Sequence, residues 1–235
     1  MTRDALRQLS GKFIVFDGPD GCGKTTQMKA LISKLTAADQ KTRRLREPGG
    51  TPIGEQIRNL LLSTKSEMDV HCEMLLYMAS RAQLVRKEII PALAAGECVL
   101  SDRFASSTLA YQGGGGGLDL QEILSVAKSA IGDTWPHLTI IFDLDIDEAM
   151  ARLNPLWSAK SGGHRKGHEG QEALFQDDDV KDRIEQRDRE YFQRVRENYL
   201  WQANQWPERY RIVDASRRIA EVEREVLEKL EEFFG

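Results

Sequence analysis

The chain predicts an α/β fold built on a parallel sheet covered by helices on both faces. Two observations carry that expectation. Short apolar runs alternate with longer segments of helical period, and a glycine-rich turn joins the first run to the first helix. KFIVFD (12–17) has the unbroken apolar character of a buried strand. KTTQMKALISKL (24–35) places Met28, Leu31, Ile32 and Leu35 on one helical face. RRLRE (43–47) is a weaker strand, stopped by Pro48, Gly49 and Gly50. Helical patterns run through IGEQIRNLLL (53–62) and a long stretch from about Met68 to Leu93, which Pro91 is expected to kink or end. CVLSD (98–102) and LTIIFD (138–143) are two further strands, each closing on an aspartate. RYRIVDA (209–215) is the last strand, and a charged amphipathic helix (219–233) follows it. Helical spacing of Ile184, Tyr191, Val195 and Tyr199 marks another helix over 180–200. Between them, residues 154–179 have little periodicity and are rich in glycine, charge and histidine, as in a lid-type insert.

Composition narrows the class of protein. A chain of 235 residues with a net charge of −4 can bury a sizeable core and is not built to coat nucleic acid. Cys22, Cys72 and Cys98 are odd in number and include no CxxC pair, which fits reduced thiols better than a disulfide frame or zinc site. The N-terminal residues run straight into the first strand, and no apolar run approaches membrane-spanning length. A soluble, cytoplasmic protein without membrane or nucleic-acid partners is expected.

GPDGCGKTT (18–26) matches G-x-x-x-x-G-K-[ST] between a strand and a helix, where a phosphate-binding loop belongs. Gly18, Pro19, Asp20, Gly21, Cys22 and Gly23 form the loop; Lys24, Thr25 and Thr26 open the helix. Such a loop turns successive backbone N–H groups toward phosphate oxygens, and the helix N-terminus adds a favourable potential for an anion. Lys24 is expected on the β- and γ-phosphates of a nucleoside triphosphate and Thr25 on Mg²⁺. Asp102, at the end of a predicted strand, and Asp17, just before the loop, are the candidate carboxylates for that ion.

These motifs do not stand alone. GPDGCGKTT, REPGGTPIGEQIRNLLL (46–62), LLYMASRAQL (75–84), DRFASSTLAYQGGGGGLD (102–119) and DRIEQRD (182–188) follow one another as in bacterial thymidylate kinases, which the chain resembles over nearly its whole length. The resemblance implies a single domain with the three-layer fold of P-loop nucleoside monophosphate kinases, about five strands and a lid near 154–179. It implies transfer from Mg·ATP to dTMP, and a homodimer. By the same resemblance Asp20 meets the 3′-hydroxyl of the acceptor and Arg103 grips its 5′-phosphate, a task that suits a guanidinium fork. Arg46 lies near that phosphate or orders its loop. Tyr77 lies under the thymine, Arg81 addresses a thymine carbonyl, and Ser107, Thr108, Tyr111 and Gln112 read base and sugar.

The sequence departs from the family pattern in two places. Gly21 stands where some members carry a catalytic arginine, so the lid must supply one, and the usual short arginine-rich lid is replaced by the long insert. Arg152 aligns at its start, Lys160, Arg165 and Lys166 fall within it, and Arg165 is the candidate lid cation. A second P-loop small-molecule kinase remains an alternative. A GTP switch is disfavoured, because no Asn–Lys pair occurs to begin an N-K-x-D motif. The five glycines of YQGGGGGLD (111–119) read as the backbone of a loop beside the acceptor pocket rather than a domain hinge, since predicted strands of one sheet flank them; close approach to a neighbour calls for two or three of them, and mobility of the loop is the account left for the rest.

Overall fold

The structure, a computed structural model, describes residues 1–65, 67–153, 184 and 187–235. The expected insert at 154–179, Arg165 included, lies outside them.

The five strands are β1 (Phe13–Asp17), β2 (Thr42–Arg46), β3 (Cys98–Asp102), β4 (Leu138–Asp143) and β5 (Tyr210–Asp214). They form one sheet in the order β2-β3-β1-β4-β5, and every neighbouring pair is parallel. β1 sits at the centre and is buried along its whole length, as its unbroken apolar run requires. Its residues alternate between faces. Ile14 and Phe16 pack with α2 (Lys24–Ala37) and α10 (Ile219–Phe234), while Phe13 and Val15 pack with α4 (Val70–Leu84) and α7 (Leu120–Ile131). The sheet is thus covered on both faces, giving the three-layer α/β architecture.

Along the stretch that Pro91 is expected to kink or end, the chain changes its winding before the proline. α4 gives way to a π-helical turn, Val85–Ile89, and then to α5 (Ile90–Ala94), in whose first turn Pro91 lies. A proline is tolerated there, because first-turn N–H groups need no partner within their own helix. The N-terminal helix α1 (Arg3–Arg7) escapes sequence reading because five residues with one buried side chain, Leu6, carry no legible period. The remaining elements are α3 (Pro52–Leu62), α6 (Ala105–Thr108), α8 (Ile146–Leu153) and α9 (Arg189–Gln205).

The first three glycines of the run, Gly113–Gly115, lie in a helix rather than a loop. Leu109–Gly115 is a π-helical segment continuing α6, and it packs against α9. A Cβ on Gly114 would come within 2.6 Å of the Asn198 Cβ and 2.9 Å of the Arg194 carbonyl oxygen. One on Gly115 would come within 2.6 Å of the Tyr191 ring and 2.9 Å of Val195. Two hydrogen bonds reinforce the approach: the Tyr191 hydroxyl donates to the Tyr111 carbonyl at 2.9 Å, and Arg194 donates to the Gly115 carbonyl at 3.0 Å. Glycine disfavours helix on its own, and here packing overrides that preference.

Gly→Ala inside an ordinary helix stabilises by about 1 kcal/mol. Gly114→Ala is expected to destabilise instead by about 2 kcal/mol, the scale of core overpacking. A melting point lower by about 4–8 °C is the expected readout. An unchanged or raised melting point would show that the two segments are not so closely opposed.

Candidate active site

The site forms along the C-terminal edge of the sheet, where β1 and β3 end side by side with Phe16 opposite Asp102. The turn leaving β1 begins at Gly18, whose backbone passes so near β4 that a Cβ would stand 2.5 Å from the Phe142 carbonyl oxygen. Glycine is therefore required by contact and by its φ of +136°. The loop then closes over Lys24. The buried ammonium donates to the Gly18 and Pro19 carbonyls at 3.1 and 2.8 Å and lies 3.9 Å from Asp20. It is held inside the turn rather than splayed into solvent.

Thr25 and Asp102 meet, as the sequence predicts for a shared ion: the hydroxyl donates to Asp102 Oδ2 at 3.0 Å. One hydroxyl and one carboxylate suit Mg²⁺, which takes its remaining ligands from phosphates and water. No cluster of three or more acidic, histidine or cysteine side chains poised for a metal occurs among the described residues. Asp17 has a different environment from the one expected of a metal ligand. It is fully buried and accepts hydrogen bonds from the Gly18 N–H (2.9 Å) and from the hydroxyls of Ser106 (2.5 Å), Ser107 (2.7 Å) and Tyr199 (2.6 Å). Both oxygens of its carboxylate are thus already bonded by protein donors.

Arg103 follows Asp102 in a left-handed backbone conformation, φ +71°, where side chains other than glycine are uncommon. Its amide donates to the Phe16 carbonyl at 3.0 Å, which turns the side chain back over the loop. The guanidinium donates to Asp20 Oδ1 (2.5 Å), Ser107 (3.1 Å), the Tyr111 hydroxyl (3.2 Å) and the Tyr199 hydroxyl (3.3 Å), and it lies over the Tyr111 ring. Desolvation alone would raise the Asp20 carboxyl, but Arg103 and Lys24 outweigh it and bring it down to about 2. Asp20 is therefore an anion throughout the neutral range, able to accept from a ligand hydroxyl.

The residues expected to read the base occupy the next layer out. Tyr77 is half-buried on α4, one turn before Arg81. Arg81 is 1 % exposed, and each nitrogen of its guanidinium has a protein partner. It donates to Glu47, Thr108, the Phe104 carbonyl and the Met78 sulfur. In this structure it is a strut joining α4, the segment after β2 and the segment after β3. Thr108 and Gln112 are buried, Gln112 donating to Glu73 at 3.3 Å. Arg46, exposed at the end of β2, pairs with Glu55 at 3.0 Å, and Glu55 also accepts from the Gly50 amide at 2.7 Å. Of the two roles the sequence offers Arg46, this geometry matches the ordering of its own loop. Arg152, at the end of α8, donates to Glu148 and to the Ala215 carbonyl beside Cys22, Gly23 and Thr26.

Sequence reading missed Ser106, Glu47 and Tyr199 as parts of the site. Tyr199 was legible only as one apolar position of a helical face, since no local motif marks a residue brought in from α9.

Comparison with known proteins gives the family. A family model for thymidylate kinase matches residues 16–226. A thymidylate kinase of Exiguobacterium sibiricum is 41% identical over 219 residues, 93% of each chain. One of Pelotomaculum thermopropionicum is 41% identical over 225 residues, covering 95% of this chain and 94% of that one. The crystal structure of a thymidylate kinase from Ehrlichia chaffeensis superposes with a TM-score of 0.69 at 29% identity, covering 94% of this chain and 98% of the other. Sequence, fold and the order of its motifs thus converge, and the chain belongs to the thymidylate kinase family.

Proposed function

We propose that the protein transfers the γ-phosphoryl group of Mg·ATP to dTMP, giving dTDP and ADP. The observation that carries this reading is the pair of cations that meet at Asp20: Lys24 inside the phosphate-binding loop and Arg103 from the neighbouring strand end. One suits the donor phosphates and the other the acceptor phosphate. A phosphate oxygen of dTMP forms the new bond to the γ-phosphorus while the bond to the β-phosphate oxygen breaks, and ADP leaves. The attacking oxygen is already anionic near neutral pH, so no general base is needed. Catalysis is then positioning plus charge neutralisation.

In this reading Lys24 and the loop amides from Gly18 to Thr26 hold the donor. Thr25 and Asp102 hold Mg²⁺, which when bound neutralises charge on the transferring phosphates. Asp17 keeps the loop's first turn in place. Arg103 meets the acceptor phosphate, Asp20 its 3′-hydroxyl, and Tyr111, Ser107 and Gln112 line the path to the sugar. Tyr77 lies against the base. Arg81 supports the base end by fixing Thr108 and Phe104, and Arg46 keeps the loop after β2 in order. Arg165 is the lid cation proposed for the transferring group.

Turnover with a panel of nucleoside monophosphates and shikimate, followed as ADP release, tests the substrate. A preference for any acceptor over dTMP would overturn the reading.

We further propose a homodimer and a cytoplasmic location. Ile53 and Leu60 on α3 and Leu75 on α4 are more than half exposed, or half exposed in the case of Ile53, on two helices packed together, a patch suited to a second copy. Light scattering giving the mass of a single chain would exclude the dimer. A reducing compartment suits the unpaired thiols of Cys22, Cys72 and Cys98. Among the described residues no helix is long and apolar enough to cross a membrane. Imaging of a tagged chain tests the location.

A further inference from the structure

Tyr199 comes from α9, far in sequence from the phosphate-binding loop and from β3, and it is 1 % exposed. Its hydroxyl lies between two charged groups. It donates to Asp17 Oδ1 at 2.6 Å and accepts from Arg103 at 3.3 Å, and a single phenol can do both at once. Burial and the Asp17 carboxylate hold the phenol well above its ordinary titration range, so it remains a protonated donor. Asp17 in turn accepts from the Gly18 amide at 2.9 Å. A continuous chain, Arg103 to Tyr199 to Asp17 to Gly18, therefore joins the acceptor-side cation to the first residue of the donor loop.

Packing alone does not call for the hydroxyl. The Tyr199 ring meets the Tyr111 ring edge-on at 6.3 Å between centroids, and a phenylalanine would make the same contact. Ser107 also touches Arg103 and Asp17, but it lies one turn beyond Arg103 on the same segment and moves with it. Tyr199 is anchored in a separate helix. The left-handed backbone at Arg103 is a conformation that persists only where its surroundings hold it.

We propose that Tyr199 is a positioning residue for the transfer: its hydroxyl fixes the Arg103 guanidinium at the angle from which it meets the acceptor phosphate, without touching either nucleotide. This rests on the reading of Arg103 as the acceptor-phosphate residue. It gives α9 a part in acceptor affinity that the local motifs do not show.

Tyr199→Phe keeps the ring and removes only the hydroxyl. It is expected to raise KM for dTMP about tenfold, the scale of one buried hydrogen bond to a charged group. KM for ATP should stay within about twofold. Equilibrium binding of dTMP by titration calorimetry should weaken by the same factor. A generally loosened fold would move both KM values together. In the Arg103→Ala background the same substitution should change KM for dTMP by less than about twofold, because it acts through a group no longer present.

The proposal is overturned if Tyr199→Phe leaves dTMP binding unchanged while Arg103→Ala weakens it. It is equally overturned if the Tyr199 effect persists in full without Arg103. Should Arg103→Ala itself leave dTMP binding unchanged, the acceptor-site reading fails, and this inference fails with it.

Discussion

Lys24→Ala is expected to lower kcat by about 10³-fold, the scale seen when a preorganised donor to developing charge is removed. The geometry gives the reason. The ammonium is buried within the loop and bonded to the Gly18 and Pro19 carbonyls, so it arrives at the phosphates already oriented. No other lysine or arginine lies within the loop itself to take over. Affinity for dTMP should change little, because Lys24 faces the donor. Removing the donor to two loop carbonyls should cost roughly 1–2 kcal/mol of stability, so a thermal melt run alongside separates inactivation from unfolding. A kcat within tenfold of the parent, in a folded variant, would mean that the cradle is not the donor site.

Arg103→Ala is expected to reduce kcat/KM for dTMP by roughly 10²-fold or more, in the range for truncating one member of a desolvated charge pair. KM for ATP should hold. The alanine variant also takes the cation away from buried Asp17 and leaves Asp20 with Lys24 alone, and that has its own stability cost. Arg103→Lys is the companion variant. It keeps the charge near both carboxylates and loses the planar fork, so it should melt close to the parent yet bind dTMP more weakly. If the lysine variant matched the parent in dTMP affinity, charge alone would suffice and the fork geometry would be irrelevant.

The sequence made some of this legible and hid the rest for physical reasons. Gly18 to Thr26 declare themselves because a loop that wraps phosphate needs glycines and a cation at fixed spacing. Every other link from loop to acceptor side is long-range. Thr25 meets Asp102 across 77 positions and Tyr199 meets Asp17 across 182, and nothing local records such pairings. Strand positions were recoverable, since buried parallel strands are short apolar runs between helices. Close approach at part of the glycine run is expected from its composition and is found at Gly114 and Gly115, but the partner, α9, lies some 80 residues away and leaves no local trace. Asp17 was indistinguishable from Asp102 on position alone, as both end a strand. Only the hydroxyls gathered around Asp17 tell them apart.

The adjoining ends of β1 and β3 have a consequence for changing what this enzyme accepts. The groups proposed for the phosphates stand at or just beyond two strand ends held in register by the sheet: Lys24 and Thr25 open α2 after the loop that leaves β1, and Asp102 and Arg103 lie where β3 ends. Those proposed for the base stand on α4 and on the segment after β3. Base preference is therefore expected to be exchangeable separately from the chemistry: redesign at Tyr77 and Thr108 should retune which nucleobase enters, while the register of β1 and β3 keeps the groups proposed for the phosphates in place.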